Sequence, residues 1–204
     1  MNITNKEKDS FGTNKLSIVD KFGIWLSRIA IRKHLKNNNN IKILELGCGF
    51  EAYNLLALED KAVELIGVDY NLSPRIKDKN KFKIYESSID EALVNLKNEK
   101  FDLILLISVI EHLENPVDVI KQCKDLLNPA GVMLINVPTW LGKTFLEISA
   151  FRFNLSPINE INDHKMYYNK KDLWPLLVKC GFYPIKIKMN YHKFNLNLFA
   201  IARN

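Results

Sequence analysis

Apolar positions along this chain change their period several times, and each change marks an element. Between Leu16 and Leu35 the residues Ile18, Phe22, Trp25 and Ile29 recur at helical spacing, with Asp20, Lys21, Arg28 and Arg32 off that face, which predicts a packing helix. Asn37 to Asn40 breaks it. Ile41 to Leu46 is mostly apolar and β-favouring, and stops at Gly47-Cys48-Gly49 ahead of a helix-compatible run from Glu51 to Glu59. A second apolar run, Val63 to Val68, ends at Asp69, and a short helix is expected near Pro74. Lys81 to Glu86 reads as a third strand and Ile89 to Leu96 as a helix. Phe101 to Ile107 is apolar at nearly every position, as a parallel strand covered on both faces should be. Asn115-Pro116 is a cap and first-turn pair for a helix carrying Val117, Ile120, Cys123 and Leu127 and ending near Pro129, after which Val132 to Val137 is a fifth strand.

Strand and helix alternate this far, which predicts a doubly wound parallel sheet with ligands at the carboxyl ends of its strands. The tail departs from that rhythm. A long segment rich in aromatics (Trp140, Phe145, Phe151, Phe153, Tyr167, Tyr168) predicts a lid-like insertion at 139–169. Asn169 then caps a helix carrying Leu173, Leu176, Leu177 and Cys180 and closed by Gly181, with Pro175 predicting a kink or a late start. Tyr183 to Tyr191 and Phe194 to Arg203 both alternate with no helix between them, so they form an antiparallel pair. The expected architecture is α/β, a Rossmann-like doubly wound sheet of seven strands with the last antiparallel. An arm and packing helix fill 1–40, and one domain fills 41–204.

The turn at Gly47 to Gly49 carries the first chemistry. Glycines let the backbone bend sharply and a ligand approach closely, and the helix start beyond offers unpaired N–H groups and a positive dipole end. About 20 residues further on, Asp69 stands where a carboxylate accepts both hydroxyls of a ribose. Such a unit binds a nucleoside-bearing cofactor without saying which. At 204 residues, 47% hydrophobic and 25% charged, the chain suits one domain with a sizeable core. Its net charge of +6 comes from lysines scattered without a dense block, which favours solvated surface over a nucleic-acid or anionic-membrane footprint. The longest apolar run, Leu103 to Ile110, falls far short of the roughly 20 residues of a membrane span. The opening MNITNKEKDS has no apolar signal core. Cys48, Cys123 and Cys180 have neither paired nor metal-ligand spacing, so no metal and a reducing cytoplasm are expected.

Four stretches in order, ILELGCG (43–49), LIGVDY (65–70), FDLILLISVIEHLENP (101–116) and LLNPAGVMLINVP (126–138), resemble the class I S-adenosylmethionine-dependent methyltransferases. The likeness is to the small-molecule branch that includes ubiquinone-biosynthesis and glycan-modifying enzymes. The stretch DHKMYYNKKDLWPLLVKCGF (163–182) is similar to the family's later helix. This resemblance implies S-adenosylmethionine as cofactor and S-adenosylhomocysteine as its product. It implies the backbone around Glu45, Gly47, Cys48 and Gly49 at the methionine end, Asp69 on the ribose and Tyr70 beside the adenine. Ser88, Ile89 and Asp90 would reach the adenine edge, where Glu86 competes, and Ile107 and Ser108 would lie near the sulfonium. Cys48 also reads as a small filler, and Asp90 as a helix-capping residue. Glu51 departs from the family, which often has a third glycine there.

Methyl transfer from a sulfonium is an in-line displacement, so the enzyme mainly aligns the acceptor and excludes water. An acceptor hydroxyl or amine calls for a base. His112, in the Glu111-His112 pair, is the first candidate and His164 the second, each with a structural reading beside it. The resemblance implies a small-molecule acceptor such as a sugar, nucleotide-sugar or quinone. Three rivals stand. Gly47, Gly49 and Ala52 also satisfy G-x-G-x-x-A, which with Asp69 suits an NAD-dependent oxidoreductase. The basic charge leaves RNA methylation open, although no Asn-Pro-Pro-aromatic tetrapeptide follows the fourth strand. Glu51 suits a catalytically inactive binding protein. Oligomeric state is not legible.

Overall fold

The computed structural model describes residues 10–13, 16, 18–35, 39–145 and 164–204, so the central part of the expected lid lies outside the described residues. Seven strands, β1 (Ile41–Leu46), β2 (Ala62–Asp69), β3 (Phe82–Glu86), β4 (Phe101–Ile107), β5 (Leu127–Pro138), β6 (Ile187–His192) and β7 (Asn197–Arg203), form one sheet in the order β3-β2-β1-β4-β5-β7-β6. The first five are parallel, whereas β7 runs antiparallel to both β5 and β6. The order reverses between β1 and β4, and there a doubly wound sheet opens its ligand crevice. Apolar layers cover both faces, one around Leu44, Ile66, Ile104 and Ile135 and the other around Ile43, Leu65, Leu105 and Leu134.

The helices are α1 (Ile18–His34), α2 (Tyr53–Leu56), α3 (Pro74–Lys77), α4 (Ile89–Asn95), α5 (Pro116–Asp125) and α6 (Lys170–Lys179). Four expectations need correcting. Of the predicted packing face of α1, Phe22, Trp25 and Ile29 are exposed, Trp25 at 52%, and Phe22 stacks on Trp25 outside; Ile18's side chain is not among those described. The helix instead buries Ser27 and Ile31 and is followed by buried Leu35, because it carries apolar residues on more than one side and spacing alone does not choose between them. The run from Glu51 to Glu59 makes only the single turn of α2, since Ala52 takes a left-handed conformation (φ 43°) and only 15 residues separate β1 from β2. Next, α5 stops at Asp125 and β5 starts at Leu127, paired with Phe101; the register then slips before Val132 pairs with Leu103. Finally, Pro184–Lys186 forms a 3₁₀ turn, so β6 begins at Ile187, not Tyr183. In α6, Pro175 is accommodated in the second turn, where its missing donor frees only the carbonyl of exposed Lys171.

Candidate active site

The carboxyl ends of β1 and β2 are tied together by the glycine turn. Gly47 and Cys48 both donate their N–H to the Val68 carbonyl, at 2.8 and 3.1 Å, and Gly49 donates to Asp69 Oδ2 at 2.7 Å. Gly47 has φ 67°, and a Cβ there would stand 2.6 Å from Val109 Cγ2, so the position requires glycine. The described end of the N-terminal arm folds over this turn. Phe50 donates to the Phe11 carbonyl at 2.8 Å, and the Ser10 hydroxyl donates to Asp69 Oδ1, the contact a sugar hydroxyl would make. Tyr70 N–H donates to the same oxygen at 2.8 Å.

These bonds use the donors of the turn that precedes α2. The N–H groups of Gly47, Cys48, Gly49, Phe50 and Ala52 are all engaged inside the fold. A pyrophosphate needs such donors. What the crevice offers instead is carboxylates, from Glu45, Asp69 and Asp90, which suit a ligand that carries hydroxyls and positive charge.

A cavity of about 180 Å³ opens at this edge, lined among others by Gly47, Asp69, Tyr70, Ser88, Asp90 and Leu113. Ile89 lines it too. Ser88 caps α4 through a reciprocal pair with Glu91, so capping is not Asp90's task, and Asp90 is left exposed at the cavity wall. Glu86 accepts from Leu72 N–H at 2.9 Å and from Lys77 at 2.7 Å, which commits it to the loop after β2. A larger hollow of about 430 Å³ between α6 and β6 lies away from this edge.

Among the described residues eight buried side-chain polar atoms have no hydrogen-bond partner, and buried polar groups of that kind call for an explanation such as a ligand. They fall into two groups. Arg28 Nε, Glu45 Oε2 and Asn54 Oδ1 belong to the end of β1. Asn54 Nδ2 donates to Glu45 Oε1 at 2.8 Å, and the Arg28 guanidinium lies 5.4 Å over the Tyr53 ring. Burial pushes the Glu45 carboxyl up to about 8; the Asn54 bond acts the other way, and the charge of Asp69 adds to the rise.

The second group is both carboxyl oxygens of Glu111, both amide atoms of Asn136, and His192 Nε2. Glu111 follows β4, Asn136 lies near the end of β5 and His192 ends β6. Glu111 is fully buried, and burial pushes its carboxyl up to about 8. Its backbone carbonyl accepts from Lys165 and Met166 N–H at 2.7 and 3.3 Å, which draws the chain at 164–166 against it and sets the rings of His112 and His164 4.7 Å apart. His164 Nδ1 is 3.0 Å from the hydroxyl of buried Tyr167. Lys193 opens a turn of three consecutive left-handed residues, Lys193, Phe194 and Asn195. Its ammonium is pushed down to about 8 by burial, with the Glu111 charge opposing.

A methyltransferase-domain family model matches residues 24–187. The chain belongs to that family. It is a class I S-adenosylmethionine-dependent methyltransferase by domain, as the four motifs implied. It is 30% identical over 166 residues to a ubiquinone biosynthesis O-methyltransferase of Dinoroseobacter shibae, covering 76% of this chain and 66% of that one. It is 27% identical over 143 residues to a probable S-adenosylmethionine-dependent methyltransferase of Mycolicibacterium smegmatis, covering 69% and 51%. The chain thus spans between about half and two-thirds of the length of these curated relatives. In fold it is similar to the magnesium protoporphyrin IX methyltransferase of Synechocystis, solved with S-adenosylhomocysteine bound, at a TM-score of 0.66 and 15% identity over 95% of this chain and 90% of that one.

For a methyltransferase the cofactor is S-adenosylmethionine, and the residues present fit it. The first group of unpaired atoms is both acidic and basic, as an amino-acid end requires. The family match sets aside the NAD-dependent reading. Of the predicted cofactor residues, Gly47, Asp69, Tyr70, Ser88, Ile89 and Asp90 meet at the cavity, and buried Glu45, Cys48 and Gly49 stand behind it. The Cys48 sulfur would meet a Cβ on Gly67 at 3.0 Å, a tight packing role, and burial raises its thiol well above the usual range. Ser108 ends β4 exposed at φ 56°, next to half-buried Ile107. Arg28, Asn54, Asn136 and Lys193 escaped the sequence reading. Only the acid-turn-helix order could have flagged Asn54; the other three matter through elements distant in sequence.

Proposed function

We propose that this chain moves the methyl group of S-adenosylmethionine to an oxygen or nitrogen of a small polar molecule by in-line displacement. S-adenosylmethionine supplies a methyl group already activated on a sulfonium. Asp69 accepts the ribose hydroxyls, with Tyr70, Ser88, Ile89 and Asp90 around the adenine. Glu45, Gly47, Cys48 and Gly49 enclose the methionine end, where Glu45 and Arg28 face its ammonium and carboxylate. Ile107 and Ser108 border the methyl position. His112 and His164 handle the acceptor's proton, and positioning supplies most of the rate.

The observation that carries this reading is the unpaired, buried carboxyl of Glu111, an oxygen of which lies within 4.8 Å of ring nitrogens of His112 and His164. Polar groups left unpaired in a crevice discriminate strongly for a ligand that pairs them. A sugar, nucleotide-sugar or quinone-like acceptor has the hydroxyls to do so, and ubiquinone O-methylation is what the name of one relative states. The three cysteines, all buried and unpaired, suit the cytoplasm. Among the described residues no helix is long and apolar enough to cross a membrane.

The test is transfer of isotope-labelled methyl from S-adenosylmethionine to panels of phenols, catechols, sugars and nucleotide-sugars. Label on an oxygen or nitrogen of one class supports the reading. Label confined to RNA or protein, from chain that binds the cofactor, overturns it.

A further inference from the structure

The two histidines and the buried glutamate can also act as a set that replaces histidine as the base: a ring nitrogen bound to an ion keeps no lone pair for a proton, and the ion itself makes a bound hydroxyl acidic. One ligand-type atom from each of Glu111, His112 and His164 lies within 4.8 Å of the others. Ligands at about 2.0–2.2 Å from a shared ion stand roughly 3–4 Å apart. A small rotation of side chains therefore closes this set around one.

We propose that Glu111, His112 and His164 bind a divalent transition-metal ion on the acceptor side of the crevice. The donor set, two imidazoles and one carboxylate, is one that such ions take while keeping open positions. Three further observations support it. Glu111 is fully buried with neither carboxyl oxygen hydrogen-bonded, a costly arrangement that a bound cation would relieve. His164 already has an orienting partner of the kind that a ligating histidine keeps, the Tyr167 hydroxyl 3.0 Å from Nδ1. The pairing of Lys165 and Met166 N–H with the Glu111 carbonyl fixes the two ligand-bearing segments to each other without using the carboxylate. The ion's use, holding the acceptor's oxygen at an open position, rests on the methyl-transfer reading; its binding does not.

The experiment titrates chelator-stripped full chain with cobalt(II) chloride alone, without cofactor or acceptor, by calorimetry and visible absorption. One ion per chain is expected, with at least a tenfold loss of affinity in Glu111→Gln and His164→Ala and about tenfold in Tyr167→Phe. His34→Ala, outside the cluster, should bind as the parent does. His164 is only half-buried, so its alanine variant keeps the fold, which circular dichroism checks. Absence of stoichiometric binding, or undiminished affinity in folded His164→Ala, would overturn the proposal. Failure to bind S-adenosylhomocysteine in a separate titration would instead remove the functional reading and leave the metal result standing.

Discussion

Burial raises the Glu45 carboxyl, so the folded chain keeps its proton to higher pH than the unfolded chain does. With its carboxyl pushed from 4.5 to about 8, the folded state binds more protons than the unfolded state between those values. Stability contributed at this residue is therefore greatest below pH 4.5 and falls as pH rises to about 8, by about 1.4 kcal/mol per unit. Glu45→Gln should flatten that slope in thermal melts between pH 5 and 8. It should also weaken S-adenosylhomocysteine binding, because an amide cannot meet the ligand's ammonium with charge. An unchanged slope would mean that the carboxyl is ionised in the folded protein. In the parent, cofactor affinity should climb over the same range, since a cationic ligand favours the ionised form and its binding expels the proton. Glu45 and Asp69 were legible because each ends an apolar run at a set distance from the glycines. Arg28 and Lys193 were not: one lysine among many looks like surface until tertiary packing buries its ammonium.

At the scale of the element, the glycine turn and the arm above it make separate predictions. Gly47→Ala places a left-handed residue's Cβ against Val109 and should cost about 1–3 kcal/mol in urea unfolding, with a loss of cofactor affinity. Ser10→Ala should do the reverse for binding. The Ser10 hydroxyl occupies Asp69 Oδ1, so its removal should raise S-adenosylhomocysteine affinity a few-fold in calorimetry, whereas a fall would assign Ser10 to closing over the ligand. Central strands were readable because parallel strands buried on both faces leave continuous apolar runs. The inward face of α1 was not, since Trp25 and Phe22 sit outside on a helix with apolar residues on several sides. Nor was the early start of β5, where Gly131 lies so close to the Phe101 carbonyl that a Cβ would meet it at 2.9 Å.

Across the whole molecule, the antiparallel β7 gives the sheet its asymmetry. It pairs β5 with β6 and brings Lys193, at the turn between β6 and β7, near Glu111, while the sheet order reverses between β1 and β4. The two groups of unpaired atoms, around Glu45 and around Glu111, follow from that division. The alternation of strand and helix and the terminal hairpin made this topology legible. Of the polar groups around Glu111 only His112 and His164 were legible, and a separation of 52 positions along the chain hid their meeting. On the proposed reading, a cofactor lying along this edge is gripped by Asp69 at the end of β2. Calorimetric titration of the chain and of Asp69→Ala with S-adenosylhomocysteine, and of the chain with NAD, tests this most directly. One S-adenosylhomocysteine per chain, no NAD, and at least about a tenfold loss in the folded variant are predicted. Binding of NAD alone, or undiminished affinity in Asp69→Ala, would contradict it.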